Sequence, residues 1–265
     1  MRMNIRNDAC TQAFTLLVAA ALSIALWFIP FAEILTYPFR IFVTFIHEGG
    51  HAVAALLTGN SVSSLTIAMN GSGETYTTHG GVFSQMLISS AGYLGAMSFG
   101  ALLLVLIRRT VAARFVLLGS AALIAFLTVF FGLVTPIFSA SWSTMGGTPF
   151  TLLSGALLAV GLVAVARFAS PKVATFFVSF LAVQCVLNAI LDLKTVFFMS
   201  TPFAPSVPTD AVNMANATGI PALVWAIAWI GLGFLILSLA MRAYVVSKDK
   251  SASQPDLPFE GPLEV

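Results

Sequence analysis

Seven apolar runs set what this chain can become. They cover residues 13–37, 39–57, 83–107, 111–138, 150–168, 173–199 and 221–246. About 20 residues of helix cross the hydrocarbon layer of a bilayer, and each run is long enough or nearly so. The expected fold is therefore an all-α polytopic membrane protein with about seven transmembrane helices. Composition agrees: 58% of the 265 residues are hydrophobic and 8% are charged, where a soluble domain carries about 25% charged residues. No basic stripe interleaved with aromatic residues exists, so nucleic acid is not an expected partner; the lipid bilayer is. The two cysteines, Cys10 and Cys185, are far apart and suggest no disulfide framework.

Basic residues fall at alternate ends of these runs. Arg40, Arg108, Arg109, Arg114, Arg167, Lys172, Arg242, Lys248 and Lys250 mark one side, and residues 59–81, 139–149 and 200–219 hold no Lys or Arg. The positive-inside rule then makes the C-terminus cytoplasmic. Seven spans put the N-terminus outside, against Arg2 and Arg6; a re-entrant first run would leave six, and seven is preferred. The first run is too long for a signal peptide, and no clean small-x-small site follows it. Residues 1–246 form one membrane domain by this reading, and residues 247–265, with Pro255, Pro258 and Pro262, form a disordered polar tail.

Inside the second run lies His47-Glu48-Gly49-Gly50-His51, an H-E-x-x-H motif. Histidines at i and i+4 share one face of a helix, so both rings can reach one zinc ion (Zn2+). Glu48 points off that axis, where it can take a proton from a metal-bound water. A pair of core histidines bonded to carbonyls is the plain alternative. Ionisable groups at membrane depth cost roughly 2.5 kcal/mol or more each, which argues for a use.

Just after this motif, Leu65-Thr66-Ile67-Ala68-Met69 alternates apolar and small residues, Asn70-Gly71 is a tight-turn pair, and Glu74 to Thr78 is rich in β-formers. A short β-hairpin is expected there, with an exposed edge to which an extended peptide could add. In the third run, Ala91/Gly95 and Gly92/Ala96 are small-xxx-small pairs that let a neighbouring helix approach closely.

A catalytic zinc usually has a third protein ligand. Of the ten acidic residues, most lie in the tails, at a helix exit (Glu33), in the hairpin (Glu74) or in an external loop (Asp210). That leaves Asp192, within the sixth run. Its pairing with Lys194 is poor, because i and i+2 do not face each other on a helix. Asp192 is the expected metal ligand. Asn188, one turn earlier, is expected to hold it or to donate to a substrate carbonyl oxyanion. His79 reads as a polar surface residue in a loop. The depths of the two blocks conflict: His47 lies about 10 Å past Arg40 and Asp192 about 30 Å past Lys172. They agree only if the metal helix begins near Glu33, or the sixth helix starts late or is broken.

His-Glu-Gly-Gly-His-Ala at 47–52, Leu57-Thr58-Gly59 and Ser90-Ala91-Gly92-Tyr93-Leu94-Gly95 together resemble the site-2-protease-type intramembrane metallopeptidases, in their M50B-like branch. The resemblance covers residues 40–108 well, with Asn188 to Asp192 as a weaker second block. It implies a zinc peptidase of a bacterial inner or plasma membrane that cuts transmembrane proteins or peptides. In it His47, His51 and Asp192 would bind metal, Glu48 would be the base, and the hairpin would present substrate. The chain has Leu191-Asp192-Leu193 where better-studied members have Leu-Asp-Gly, and it shows no PDZ-like insertion. The rival expectation is a non-proteolytic membrane scaffold or metal-handling transporter.

Overall fold

The structure is a computed structural model that describes residues 2–78, 80–108, 112–139, 147–203 and 207–252, with side chains from 14 to 243 apart from Trp27 and Arg108. His79 and the end of the tail lie outside the described residues. Helix α1 (Arg2–Ala25) gives way to a 3-10 turn (Leu26–Phe28), and α2 (Glu33–Leu57) follows. Strands β1 (Val62–Ile67) and β2 (Gly73–Thr77) form the hairpin. Then come α3 (Val82–Arg108), α4 (Ala113–Phe126), a π-helical segment (Leu127–Val134), α5 (Thr135–Phe138) and α6 (Thr148–Phe168). The chain closes with α7 (Pro171–Met199), the short α8 (Asp210–Thr218) and α9 (Ala222–Ala252).

Among the described residues five helical segments are long and apolar enough to cross a membrane: α3, α4 through α5, α6, α7 and α9 up to Ala243. Seven spans are therefore not recovered. The apolar part described in α1, Phe14–Ala25, is short. Helix α2 carries Glu33, Arg40 and Glu48 beside two histidines, which lowers its hydropathy. The protein is an integral membrane protein nonetheless, and α2 sits at its centre. Ile41, Phe42, Val43, Phe45 and Ile46 are buried there against α3, α4, α6 and α7. An ionisable motif on such a helix faces protein and the cleft rather than lipid.

The start of α2 at Glu33 removes part of the depth conflict. The Phe39 ring meets Phe177 at 5.5 Å and Phe180 at 4.7 Å, so α2 and α7 are level there. The C-terminal ends of both helices lead to the same cleft. His47 then lies about 12 Å further along, and Asp192 about 18 Å beyond Phe180.

The expected hairpin is present. Strands β1 and β2 pair antiparallel, with Leu65 opposite Thr75 and Ile67 opposite Gly73. Gly71 takes φ 83° in the turn, and Asn70 Oδ1 accepts from the Ser72 amide at 3.0 Å. The outer edge of β1 is closed by the bundle: the Ile67 amide donates to Thr151 Oγ1 at 2.7 Å, and Ser139 Oγ donates to the Ser63 carbonyl at 3.1 Å. A π-helical turn is wider than an α-turn and often marks a functional site. Here it packs against β1, where Gly132 leaves room beside Leu65 and Thr151. The edge of β2 has no third strand among the described residues, and it lines the cleft.

Candidate metal centre

His47 and His51 stand one turn apart on α2, as the motif requires, with ring centroids 4.8 Å apart. Their Nε2 atoms approach to 3.0 Å. His51 Nδ1 lies 2.7 Å from the Ile88 carbonyl oxygen, so Nδ1 carries the proton that donates to it. In the neutral ring this leaves the lone pair on Nε2, the tautomer of a metal ligand. Two nitrogens at this distance repel unless a proton or a cation lies between them.

The third group that could join them in holding a metal is Asp210. Its Oδ2 lies 3.7 Å from His47 Nε2 and 3.5 Å from His51 Nε2. Tetrahedral zinc with bonds of 2.0–2.2 Å holds its ligand atoms about 3.3–3.6 Å apart. The three observed separations, 3.0, 3.5 and 3.7 Å, bracket that value. Among the described residues this is the group of three whose ligand atoms lie within 4.8 Å of one another. Burial alone would raise the Asp210 carboxyl. When the imidazoles are protonated rather than holding a metal, their facing charge, that of His51 first, outweighs burial and holds the carboxyl well below the usual carboxylate range.

Asp192, expected as the third ligand, does not join this group, and Asn188 does not line the cleft. Asp192 is within electrostatic reach of His47 and Arg40. Asn188 Nδ2 donates to the Gln184 carbonyl at 2.8 Å and to its side-chain Oε1 at 3.1 Å. The short helix α8, which follows α7, brings Asp210 to the histidines in its place. A sequence signal for this existed. Thr209 caps α8 by accepting from the Val212 amide at 3.3 Å, Asp210 is its first residue, and Gly219 ends it at φ 72° before Pro221. Cap, acid, glycine and proline mark a helix where an external loop was expected.

Glu48 is buried and turned towards β2. Thr75 Oγ1 donates to Glu48 Oε2 at 2.7 Å and approaches the Glu48 carbonyl at 3.2 Å. A Cβ on Gly73 would come within 2.6 Å of Glu48 Cγ, so only glycine lets the strand lie this close. On the other side, α3 crosses α2 through small residues. A Cβ on Gly50 would overlap the Ala91 carbonyl, and one on Gly92 would meet His51 Nε2 at 2.5 Å. The small-xxx-small face of α3 therefore seats the metal helix.

These elements wall a cleft of about 650 Å³. His47, Glu48, His51 and Asp210 lie in it together with β2, Gly147 and the start of α8. The cleft thus draws on all three of the segments free of Lys and Arg. The lining includes three carboxylates, Glu48, Glu74 and Asp210, and no Lys or Arg among the described residues. A divalent cation suits that balance.

The sequence model of the Peptidase M50B-like family matches residues 15–240, a stretch that takes in every residue of this site. No curated protein and no solved structure matches the chain.

Proposed function

Because the chain belongs to the Peptidase M50B-like family, and is thus a membrane peptidase of the site-2-protease type, we propose that it hydrolyses peptide bonds of membrane-embedded substrates at a zinc ion held by His47, His51 and Asp210. The observation that carries this reading is the near-tetrahedral spacing of three donor atoms, one ring of which is fixed in the ligand tautomer. When bound, zinc supplies a Lewis acid that polarises a carbonyl and brings the pKa of water towards ~7.

The side chains do the rest. Thr75 holds Glu48 Oε2, which leaves Oε1 to accept a proton from the attacking water and return it to the leaving amine. The edge of β2 offers backbone groups to an extended peptide, beside Glu48. A helical substrate must unwind to use it. The cleft would open towards the non-cytoplasmic side, where segments poor in Lys and Arg belong.

The test is direct. The purified protein should contain zinc and cleave a transmembrane substrate in detergent or liposomes. Glu48→Gln should keep the zinc and lose activity by about 100-fold or more, the usual contribution of a general base. Cleavage at the wild-type rate by Glu48→Gln would end the proposal. Zinc binding without cleavage by the wild type would point to a scaffold or a metal-handling protein instead.

A further inference from the structure

A peptide laid along the edge of β2 has two backbone edges of its own. Its N–H and C=O groups point alternately to the two sides in the plane of the sheet, so one set meets β2 and the other faces away. In a membrane-embedded cleft the second set needs partners too, because an unpaired backbone group away from water is costly. Helix α2 is the floor of the cleft. On one side of it Glu48 Oε2 accepts from Thr75 of β2 at 2.7 Å. On the other side Gly50 lies against Ala91 of α3. The wall across from β2 is therefore α3, with α8 packed on it through Ala211 and Met214, which are fully buried in one cluster with Tyr93.

Gln85 and Ser89 of α3 and Asn213 of α8 bring uncharged polar side chains to that wall. Gln85 and Ser89 engage each other, with Gln85 Nε2 donating to Ser89 Oγ at 2.9 Å. Asn213 is different. It is exposed, and its side-chain amide makes no hydrogen bond among the described residues, while its backbone N–H donates to the Thr209 carbonyl. It stands about one turn after Asp210 on α8 and lines the cleft with it. A primary amide carries a C=O acceptor and an NH2 donor side by side. One residue of an extended strand directs its own N–H and C=O to the same side, and that pair is what such an amide can meet.

We propose that Asn213 is a substrate-binding residue that takes the peptide edge turned away from β2. The substrate strand is then held by a backbone edge on one side and a side-chain amide on the other. The inference rests on the strand-addition reading above. Because the contact is to backbone, it serves substrates of different side chains, and it favours a peptide that has unwound.

The experiment reads binding by fluorescence anisotropy on full-length, zinc-loaded protein in detergent. The probe is a dye-labelled hexa-alanine peptide whose central amide is replaced by a phosphinate, a zinc-binding tetrahedral stand-in for the scissile bond. A series of analogues turns one remaining amide at a time into an ester, which removes a single N–H donor. Asn213→Leu keeps the bulk and removes the amide, and Asn213→Ala removes both. In each variant the probe should bind about 5- to 150-fold more weakly, the cost of leaving a buried backbone group unpaired. Zinc affinity, by chelator competition, should stay within about twofold of wild type. An ester at one position should weaken the probe for wild type and not for the variants. Unaltered probe affinity in either variant overturns the proposal. So does a loss that comes with a loss of zinc, or one that leaves every ester penalty in place. Wild-type protein that fails to bind zinc or the probe would overturn the hydrolase reading itself, so the two failures are distinguishable.

Discussion

At the scale of single residues, the site turns on which carboxylate reaches the histidines. Asp192 and Asp210 both lie near a spanning helix, but only Asp210 presents an oxygen within 4 Å of both Nε2 atoms. Removing Asp210 by substitution to Ala should weaken zinc by more than the roughly 100-fold seen for groups that merely orient ligands. Asp192→Ala should leave zinc affinity within a few-fold of wild type. Metal content after dialysis against a chelator series distinguishes the two, and the opposite ranking would restore Asp192 as the ligand. His47, Glu48 and His51 were legible in the sequence because their relation is local, fixed by 3.6 residues per turn. Asp210 was not, because its distance from the motif depends on how α7 and α8 fold back.

At the scale of elements, the crossing of α2 and α3 holds the metal helix in place. Within a bilayer, helices associate through close packing and hydrogen bonds, since lipid is as apolar as a leucine face. Gly50 and Gly92 make that packing possible by leaving no Cβ against the Ala91 carbonyl and the imidazoles. Gly50→Ala meets backbone and has no flexible side chain to push aside. It should destabilise the protein by about 1–3 kcal/mol, the usual cost of overpacking. Thermal unfolding in detergent would read this as a lowered midpoint, and an unchanged midpoint would show that the crossing has slack. The hairpin was legible from Asn70-Gly71 and from its alternating strand. That its inner strand is sealed by Thr151 while its outer strand lines the cleft depends on α6, 84 positions away in sequence.

At the scale of the whole molecule, α2 packs among the spanning helices α3, α4, α6 and α7, and described residues from the three segments without Lys or Arg meet at the end that holds the cleft. If the positive-inside rule holds, that end is outside the cytoplasm. In a protein with Cys10 replaced by serine, a cysteine introduced at the exposed Ser61, between α2 and β1, should react with a membrane-impermeant maleimide on intact cells. One introduced at Ser170, between α6 and α7, should react only after the membrane is opened. Cys185 is fully buried and should stay silent in both. The reverse labelling pattern would invert the topology and place the cleft on the cytoplasmic side.

The sequence by itself determined the membrane class, the two-histidine motif with its glutamate, the hairpin and the small-residue seam. Each follows from neighbours along the chain, through hydropathy, helical or strand period, or turn chemistry. Tertiary structure alone sets the number of helices that qualify as spans and which carboxylate, Asp210 or Asp192, lies beside the two histidines. Those depend on where helices start and how far they run past one another. A shift of one turn moves a side chain by about 5.4 Å, more than the whole width of a zinc site.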